Sequence, residues 1–534
     1  MCASRNRSRI ARSAGVAITK SPTHVGRTTR MERGLAVLVA REILKLTPLH
    51  AAHTLAPFRS HAGAASVRFS IFGGFDVIDK VIQHIESRKA TSEKRLMDFL
   101  HIRSISTDPS CDAEMRRGAE WVHALLSGCG IKSEIVKTVR HPCIIADSGP
   151  VAGGGPTVLV YGHYDVQPTG DESLWESPPF EPTVRDGTVY ARGSADDKGQ
   201  VLTHFLAAES WMQAVGRLPI RVKFLIEGEE EIGSPSLEKV VRENRDRLAC
   251  DYVALSDTPK FDAATPAITY GTKGLIYKEI VVTGPKHNLH SGSYGGTLTN
   301  PGNALAVIIA SLRDADNRVT IPGFYDNVRD LTPSERDKLK KLPFDEEAYR
   351  NVMGAPSLEG EKGFSTLERR WARPTVDVNG LFGGFTGAGA STVIPAKVAG
   401  KVSMRIVPDQ DHKRISKAFN EAVHAAAPKG VGIEILDHSS CAAYASPLDS
   451  PGMTAAVDAL EAGFGKKPVF IREGGTLPIL PLFKEVLGAD SLMLGFCMPD
   501  CNAHGPNEYF ALSDLHNGTK SSAHFMDRLA RIGK

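Results

Sequence analysis

The chain has 534 residues, 42% of them apolar and 23% charged, a globular composition too long for one ordinary core, so two or more domains are expected. The formal net charge of +3 conceals an asymmetry: residues 1–70 hold twelve Lys/Arg against two Asp/Glu, which leaves the remaining body acidic. An acidic body gives no reason to expect a nucleic acid or a membrane as partner, and no apolar run reaches the length of a bilayer span.

The basic, acid-poor N-terminus reads either as a transit peptide or as a stretch upstream of the true start, and residues 1–75 are expected to lie outside the fold. From Asp76 the pattern becomes orderly. Asp76–Arg88 and Ser92–Ile102 read as amphipathic helices, the second with Leu96, Phe99 and Leu100 on one face. Cys143–Asp147 is a short strand, and Gly153–Gly155 a turn. Thr157–Tyr161 is a nearly all-apolar strand of the kind that is buried on both sides in a parallel sheet. A helix over Gly199–Met212, a strand over Arg221–Ile226, a helix over Ser236–Asn244 and a strand over Asp251–Leu255 follow. This alternation predicts an α/β fold, an open and mostly parallel sheet with helices on both faces.

After Tyr270 the style changes. Gly274–Thr283 and Val398–Val407 alternate apolar and polar residues, as strands with one solvated face do. The helical run Asn303–Leu312 and a charged, Pro-containing stretch over Arg313–Arg373 lie between them. The α/β style returns beyond Tyr444, with a helix at Gly452–Ala462 and strands near Val469–Ile471 and Ser491–Leu494. The expected organisation is therefore a catalytic domain over residues 76–270 and 441–534, interrupted by an inserted α+β domain over 271–440. A split domain leaves a cleft between two bodies, a common place for an active site.

Polar clusters follow the strands. Gly162-His163-Tyr164-Asp165 ends the first apolar strand, Ala195-Asp196-Asp197-Lys198-Gly199 opens a helix, Glu229-Glu230-Glu231 follows Arg221–Ile226, and Ser256-Asp257 follows the next strand. Ligands bind outside the carboxyl ends of strands in open α/β sheets, so these clusters converge. Imidazole and carboxylate suit a divalent ion such as Zn²⁺ or Mn²⁺. His163 and Asp165 share one side of an extended chain, which lets Asp165 orient the His163 ring. Taken singly, each cluster reads as a solvated loop; their order along the chain carries the inference. His204 reads as a structural histidine. Cys497 and Cys501 lack the spacing of a thiolate site, and the eight scattered cysteines read as reduced thiols of a cytoplasmic protein.

Four longer stretches add specificity: the His163–Val166 segment (HYDV), Gly193–Gly199 (GSADDKG), Glu230-Glu231, and Ala503-His504-Gly505-Pro506-Asn507-Glu508. With Leu289–Gly292, Tyr294–Gly296, Thr392–Pro395, Arg405–Pro408 and Arg472–Gly475, they resemble the M20 metallopeptidase family, in particular its carnosinase-like cytosolic dipeptidase branch. The resemblance runs from about residue 78 to the C-terminus. It departs at Tyr164, where that branch commonly has Leu, and at Thr476, where it has Ser.

The resemblance implies two divalent metal ions per subunit, Zn²⁺ with Mn²⁺ as the alternative. Asp196 would bridge them, with His163 and Asp257 on one and Glu231 and His504 on the other. Glu230 would be the general base, Asp165 a catalytic residue acting through the His163 ring that it orients, and Glu229 a bystander. His290 would donate to the developing oxyanion and contact substrate from the partner subunit of a homodimer, the inserted domain serving as lid and dimerisation domain. Thr392, Arg405 and Thr476 would hold the substrate, Arg405 by its carboxylate. The activity implied is hydrolysis of short peptides, a dipeptidase. The alternatives are an amidohydrolase of N-acyl amino acids or a carboxypeptidase of the same family, separable by a substrate panel. A non-catalytic binding protein is a further alternative, which metal-dependent turnover of any peptide would dispose of.

Overall fold

A computed structural model describes residues 76–532; the N-terminal extension of residues 1–75 lies outside the described residues. Thirteen strands organise the two sheets that matter for the site: β1 (Lys132–Val136), β2 (Cys143–Asp147), β3 (Thr157–His163), β4 (Arg221–Glu227), β5 (Tyr252–Leu255), β6 (Ala267–Thr272), β7 (Gly274–Thr283), β8 (Thr375–Gly383), β9 (Lys397–Ile406), β10 (Gly432–Cys441), β11 (Tyr444–Ala445), β12 (Val469–Glu473) and β13 (Asp490–Gly495).

The large sheet has the order β1-β2-β4-β3-β5-β13-β6-β11, with β12 paired to β6. Its centre, β4-β3-β5-β13, is parallel. The sheet turns antiparallel at β1-β2, β2-β4 and β13-β6, and β12 pairs with β6 in parallel, so the sheet is mixed. Val158 and Val160 of β3 face one core and Leu159 and Tyr161 the other, as expected of a run buried on both sides. The first core lies under helices Val77–Ser87, Lys198–Val215, Pro451–Phe464 and Leu512–Ala530; the second lies under Leu237–Glu243 and Ile479–Leu487.

The second sheet, β8-β9-β7-β10, is antiparallel. One face packs on helices Pro301–Ala310 and His412–Ala426, around Ile276, Ile280, Val402, Met404, Ile308 and Phe419. The other carries Lys401, Ser403 and Arg405, as alternation along β9 requires. The stretch from Arg313 to Arg373 contains three short helices, Pro333–Lys340, Glu346–Met353 and Thr366–Ala372. Pattern reading missed the helix Asp112–Gly128 and strand β6. β6 is six residues long and runs on, across Lys273, into β7, so no turn residue separates them.

The loop after β13 is drawn against the segment after β5. Lys260 N donates to Cys497 O at 2.7 Å, and a Cβ on Gly495 would stand 2.1 Å from Pro259 O. Both neighbours are backbone, which cannot swing aside. Gly495→Ala is therefore expected to destabilise the protein by roughly 1–3 kcal/mol, read as a lower urea midpoint at unchanged slope. An unchanged midpoint would mean that the two loops are not held at this distance.

Candidate active site

The carboxyl ends of the central parallel strands converge on one acidic centre. His163 ends β3, Asp257 follows β5 by two residues, Glu231 sits in the turn after β4, and Asp196 lies two residues before the helix Lys198–Val215. His504 enters from the loop beyond β13 in a left-handed backbone conformation, φ 63°, as do Asn502 and Asn507 beside it. The Asp196–Asp197 peptide bond is cis.

Two sets of donors form here, His163–Asp196–Asp257 and Asp196–Glu231–His504, their ligand atoms within 4.8 Å of one another in each set. Asp196 belongs to both. Its Oδ1 lies 3.1 Å from His163 Nε2 and its Oδ2 lies 2.9 Å from His504 Nε2. Asp257 Oδ2 is 4.0 Å from the same His163 nitrogen, and Glu231 Oε2 is 3.3 Å from His504 Nε2. Within the Glu229-Glu230-Glu231 triplet it is Glu231 that joins a set.

The electrostatics are those of crowded, buried carboxylates. Burial raises the Glu230 carboxyl well above the usual range, although His163 opposes it, and Asp257 and Asp196 raise it further. Burial and the charge of Asp196 push Asp257 up to about 7. Burial would raise Asp196 too, but the neighbouring imidazoles of His163 and His504 hold it below the usual range. Asp196 and Glu231 in turn raise His504 to about 10. Buried His163 Nε2, facing Asp196 and Asp257, has no hydrogen-bond partner among the described residues. An orphaned imidazole nitrogen among crowded carboxylates fits a divalent ion with N and O ligands. The thiols of Cys497 and Cys501 are buried and belong to neither set.

Other carboxylates in the region serve the backbone instead. Asp165 Oδ1 and Oδ2 accept from the N–H groups of Glu230 and Glu231 at 3.2 and 3.0 Å. The His163 ring meets Asp165 mainly through its carbonyl, Nδ1 to O at 3.1 Å, with the carboxylate at 3.4 Å. Glu229 is no bystander: its carboxylate accepts from Thr138, His141 N, Ser236 N and Ser236 Oγ at 2.8–3.0 Å, and so pins the turn that carries Glu230 and Glu231. Gln167 Nε2 donates to Glu231 Oε2 at 2.8 Å. His204 is buried between Ser256 and Ser522, and burial lowers it to about 3, so it is a neutral structural ring.

Sequence reading assigned no role to Glu508, and the structure gives it a central one. Fully buried, it accepts from the N–H groups of Gly193, Ala195 and Asp196 at 2.8, 2.9 and 3.0 Å and pairs with Arg192 at 2.7 Å. Its one sequence signal is proximity to His504; nothing in the primary structure points to a backbone 312 residues earlier.

The expected substrate contacts fall into two pairs. Arg405 Nη1 donates to Thr476 Oγ1 at 2.5 Å, which joins the polar face of the second sheet to the loop after β12. His290 and Thr392 lie together on the small ladder Leu289–His290 with Val393–Ile394, where Ser291 N donates to Thr392 O. His290 is exposed, and its Nδ1 accepts from Gly292 N and Ser293 N at 3.0 and 3.3 Å, which leaves Nε2 carrying the proton.

Comparison with known proteins places these observations. The model of "Peptidase family M20/M25/M40" matches residues 159–528. A Cys-Gly metallodipeptidase of Schizosaccharomyces pombe is 31% identical over 85% of this chain and 99% of its own length. The crystal structure of human carnosine dipeptidase 1 superposes with a TM-score of 0.74 at 30% identity, covering 86% of this chain and 99% of that one. A metallo-carboxypeptidase of Sulfolobus solfataricus superposes with a TM-score of 0.75 at 33% identity, over 82% and 99%.

The Arg192–Glu508 pair is 1% and 0% exposed at its two side chains. Removing one member leaves a buried charge alone, so Glu508→Ala is expected to cost about 3–5 kcal/mol in chemical denaturation. Glu508→Gln keeps the shape and one acceptor oxygen and should lose less. Equal stability of all three proteins would remove Glu508 from this supporting role.

Proposed function

The chain belongs to peptidase family M20/M25/M40, and on that premise we propose that it is a metal-dependent dipeptidase with two divalent ions held at the acidic centre. The observation that carries this reading is the split of Asp196, one oxygen toward His163 and the other toward His504. His163 and Asp257 complete one ion's ligands, Glu231 and His504 the other's, and Asp196 is shared. The donor set is imidazole and carboxylate without thiolate, which suits Zn²⁺ or Mn²⁺, and of the two we take Zn²⁺ first. Two such ions, when bound, lower the pKa of a shared water and polarise a scissile carbonyl.

The protein's own groups do the rest. Glu230, its N–H tied to Asp165, removes a proton from the attacking water and delivers it to the departing amine. His290 donates from Nε2 to the oxyanion that develops on the carbonyl. Arg405, with Thr476 beside it, grips the substrate's C-terminal carboxylate, and Thr392 adds a hydroxyl next to His290. The residues 271–440 act as a lid on a catalytic domain made of 76–270 and 441–534. A carboxypeptidase is the second reading, favoured by the likeness to the Sulfolobus enzyme; dipeptides, tripeptides and N-acyl amino acids assayed side by side separate the two.

Exposed His290 reaches the centre from the partner subunit of a homodimer in this reading. Exposed Leu381 and Phe382 near the end of edge strand β8, and Val307 on the helix beside it, supply an apolar surface for that contact. Among the described residues no helix is long and apolar enough to cross a membrane, and seven free cysteines suit a cytoplasmic location.

Asp196→Ala is expected to remove most bound metal and nearly all activity, because one carboxylate serves both ions; two ions per chain retained in that variant would sink the bridge. Glu230→Ala should keep its metal and lose about 10²–10⁴-fold in turnover. Loss of metal from Glu230→Ala but not from Glu231→Ala would exchange their roles. Subunit mixing tests the dimer. Homodimers of His290→Ala and of Glu230→Ala should each be nearly inactive, whereas equal mixing should restore about a quarter of the sites, since half the dimers are mixed and half of their sites are whole. No recovery, with subunit exchange verified, would refute a shared site.

A further inference from the structure

A second cavity, about 450 Å³, lies where the chain passes between the two sheets. Its walls come from Tyr270 near the end of β6, Val407 and Asp409 just past β9, and Pro447 and Leu448 just past β11. None of these residues belongs to the acidic centre. The volume is within the range of roughly 300–1,000 Å³ usual for small-molecule pockets.

Arg472, in β12, is the unusual part of the lining. It is 8% exposed, and its guanidinium lies over the Tyr270 ring, 4.9 Å from the centroid. Its Nε has no hydrogen-bond partner among the described residues. Its Nη2 is 3.7 Å from Glu335 Oε1, too far for a hydrogen bond. Arg329, also in the lining, stands at the same 3.7 Å from that oxygen. The other oxygen of Glu335, Oε2, accepts from Thr332 N and Oγ1 at 2.8 and 2.9 Å, capping the helix Pro333–Lys340. A buried Nε–H without an acceptor is costly, and a ligand carboxylate removes that cost through a charge-assisted contact.

The remaining lining restricts what that ligand is. Glu335 and Asp409 bring carboxylates to the same cavity, so a plain anion would gain from the arginines and be repelled by the acids. A zwitterion satisfies both. Val407, Pro447 and Leu448 supply an apolar wall. We propose that this cavity is a second binding site for a free α-amino acid with an apolar side chain. Its carboxylate is held by Arg472 and Arg329, its ammonium faces Asp409 and Glu335, and its side chain rests on the apolar wall. The site stands independently of the peptidase reading, although dipeptide hydrolysis releases molecules of this class.

The test is calorimetric titration of L-leucine into the metal-loaded full chain carrying Arg405→Ala, which removes the carboxylate grip proposed for the catalytic cleft. Binding is expected, and adding Arg472→Gln or Arg329→Gln should weaken it at least about tenfold. N-acetyl-leucine and leucinamide, each lacking one of the two charges, should weaken to a similar degree. The side chain of Arg329 is 67% exposed, so Arg329→Gln decides the matter if Arg472→Gln does not fold. Absence of binding up to the solubility limit of leucine overturns the proposal. So does leucinamide binding as tightly as leucine, or equal affinity in the arginine variants. Inorganic phosphate displacing leucine on equal terms would overturn the zwitterion assignment.

Discussion

The organisation of this protein turns on the repulsion among the carboxylates around Asp196. Asp196, Glu230, Glu231 and Asp257 are packed closely enough that burial and mutual charge raise three of them, and only the imidazoles of His163 and His504 hold Asp196 down. Such a cluster persists only where rigid elements fix each member. The parallel strands β3, β4 and β5 do this by ending at one rim, where their residues face a common space. The cost of assembling like charges is thus set against the burial of the two apolar faces of the sheet.

The same residue type performs two tasks, and hydrogen-bond partners separate them. Asp165, Glu229 and Glu508 direct their oxygens to backbone N–H groups, so their lone pairs are committed to shaping turns. Asp196 and Asp257 face imidazole and other acids instead, and Glu231 is supported by a single amide from Gln167. A carboxylate already satisfied by amides is a positioning group; one left facing its own kind is free for a cation. Glu508 joins the two classes, since the loop that presents His504 also fixes the backbone of Asp196.

The second sheet contributes its polar face rather than its core. Alternation along β9 sends Met404 and Ile406 inward and Arg405 outward to Thr476, so one strand serves both the core and the contact with the loop after β12. β7 follows β6 after a single residue, and the return from β10 to β11 takes two. The two sheets are therefore closely linked, and the arginine-lined cavity sits against those links.

Primary structure alone determined the elements whose signal is local. The nearly all-apolar run of β3, the alternation of β7 and β9, and polar residues following strand ends need only neighbours in the chain, and they sufficed to single out His163, Asp196, the Glu229–Glu231 triplet and Asp257; the resemblance to the M20 family chose Glu231 within the triplet and added His504. The helix Lys198–Val215 was legible too, from the helical spacing of Leu202, Phe205 and Leu206, although every residue from Lys198 to Trp211 is buried. Tertiary structure alone decided the rest. That Glu229 ties a turn to Thr138 and His141, that Asp165 holds two amides rather than chiefly one ring, and that Glu508 supports a backbone from the far end of the chain depend on pairs separated by tens to hundreds of residues. Arg472 is of the same kind, since only packing against Tyr270 and Glu335 shows that its Nε–H is left without an acceptor among the described residues. The physical reason is that hydrophobic periodicity is written along the chain, whereas the satisfaction of a buried polar group is a property of the space into which the chain folds.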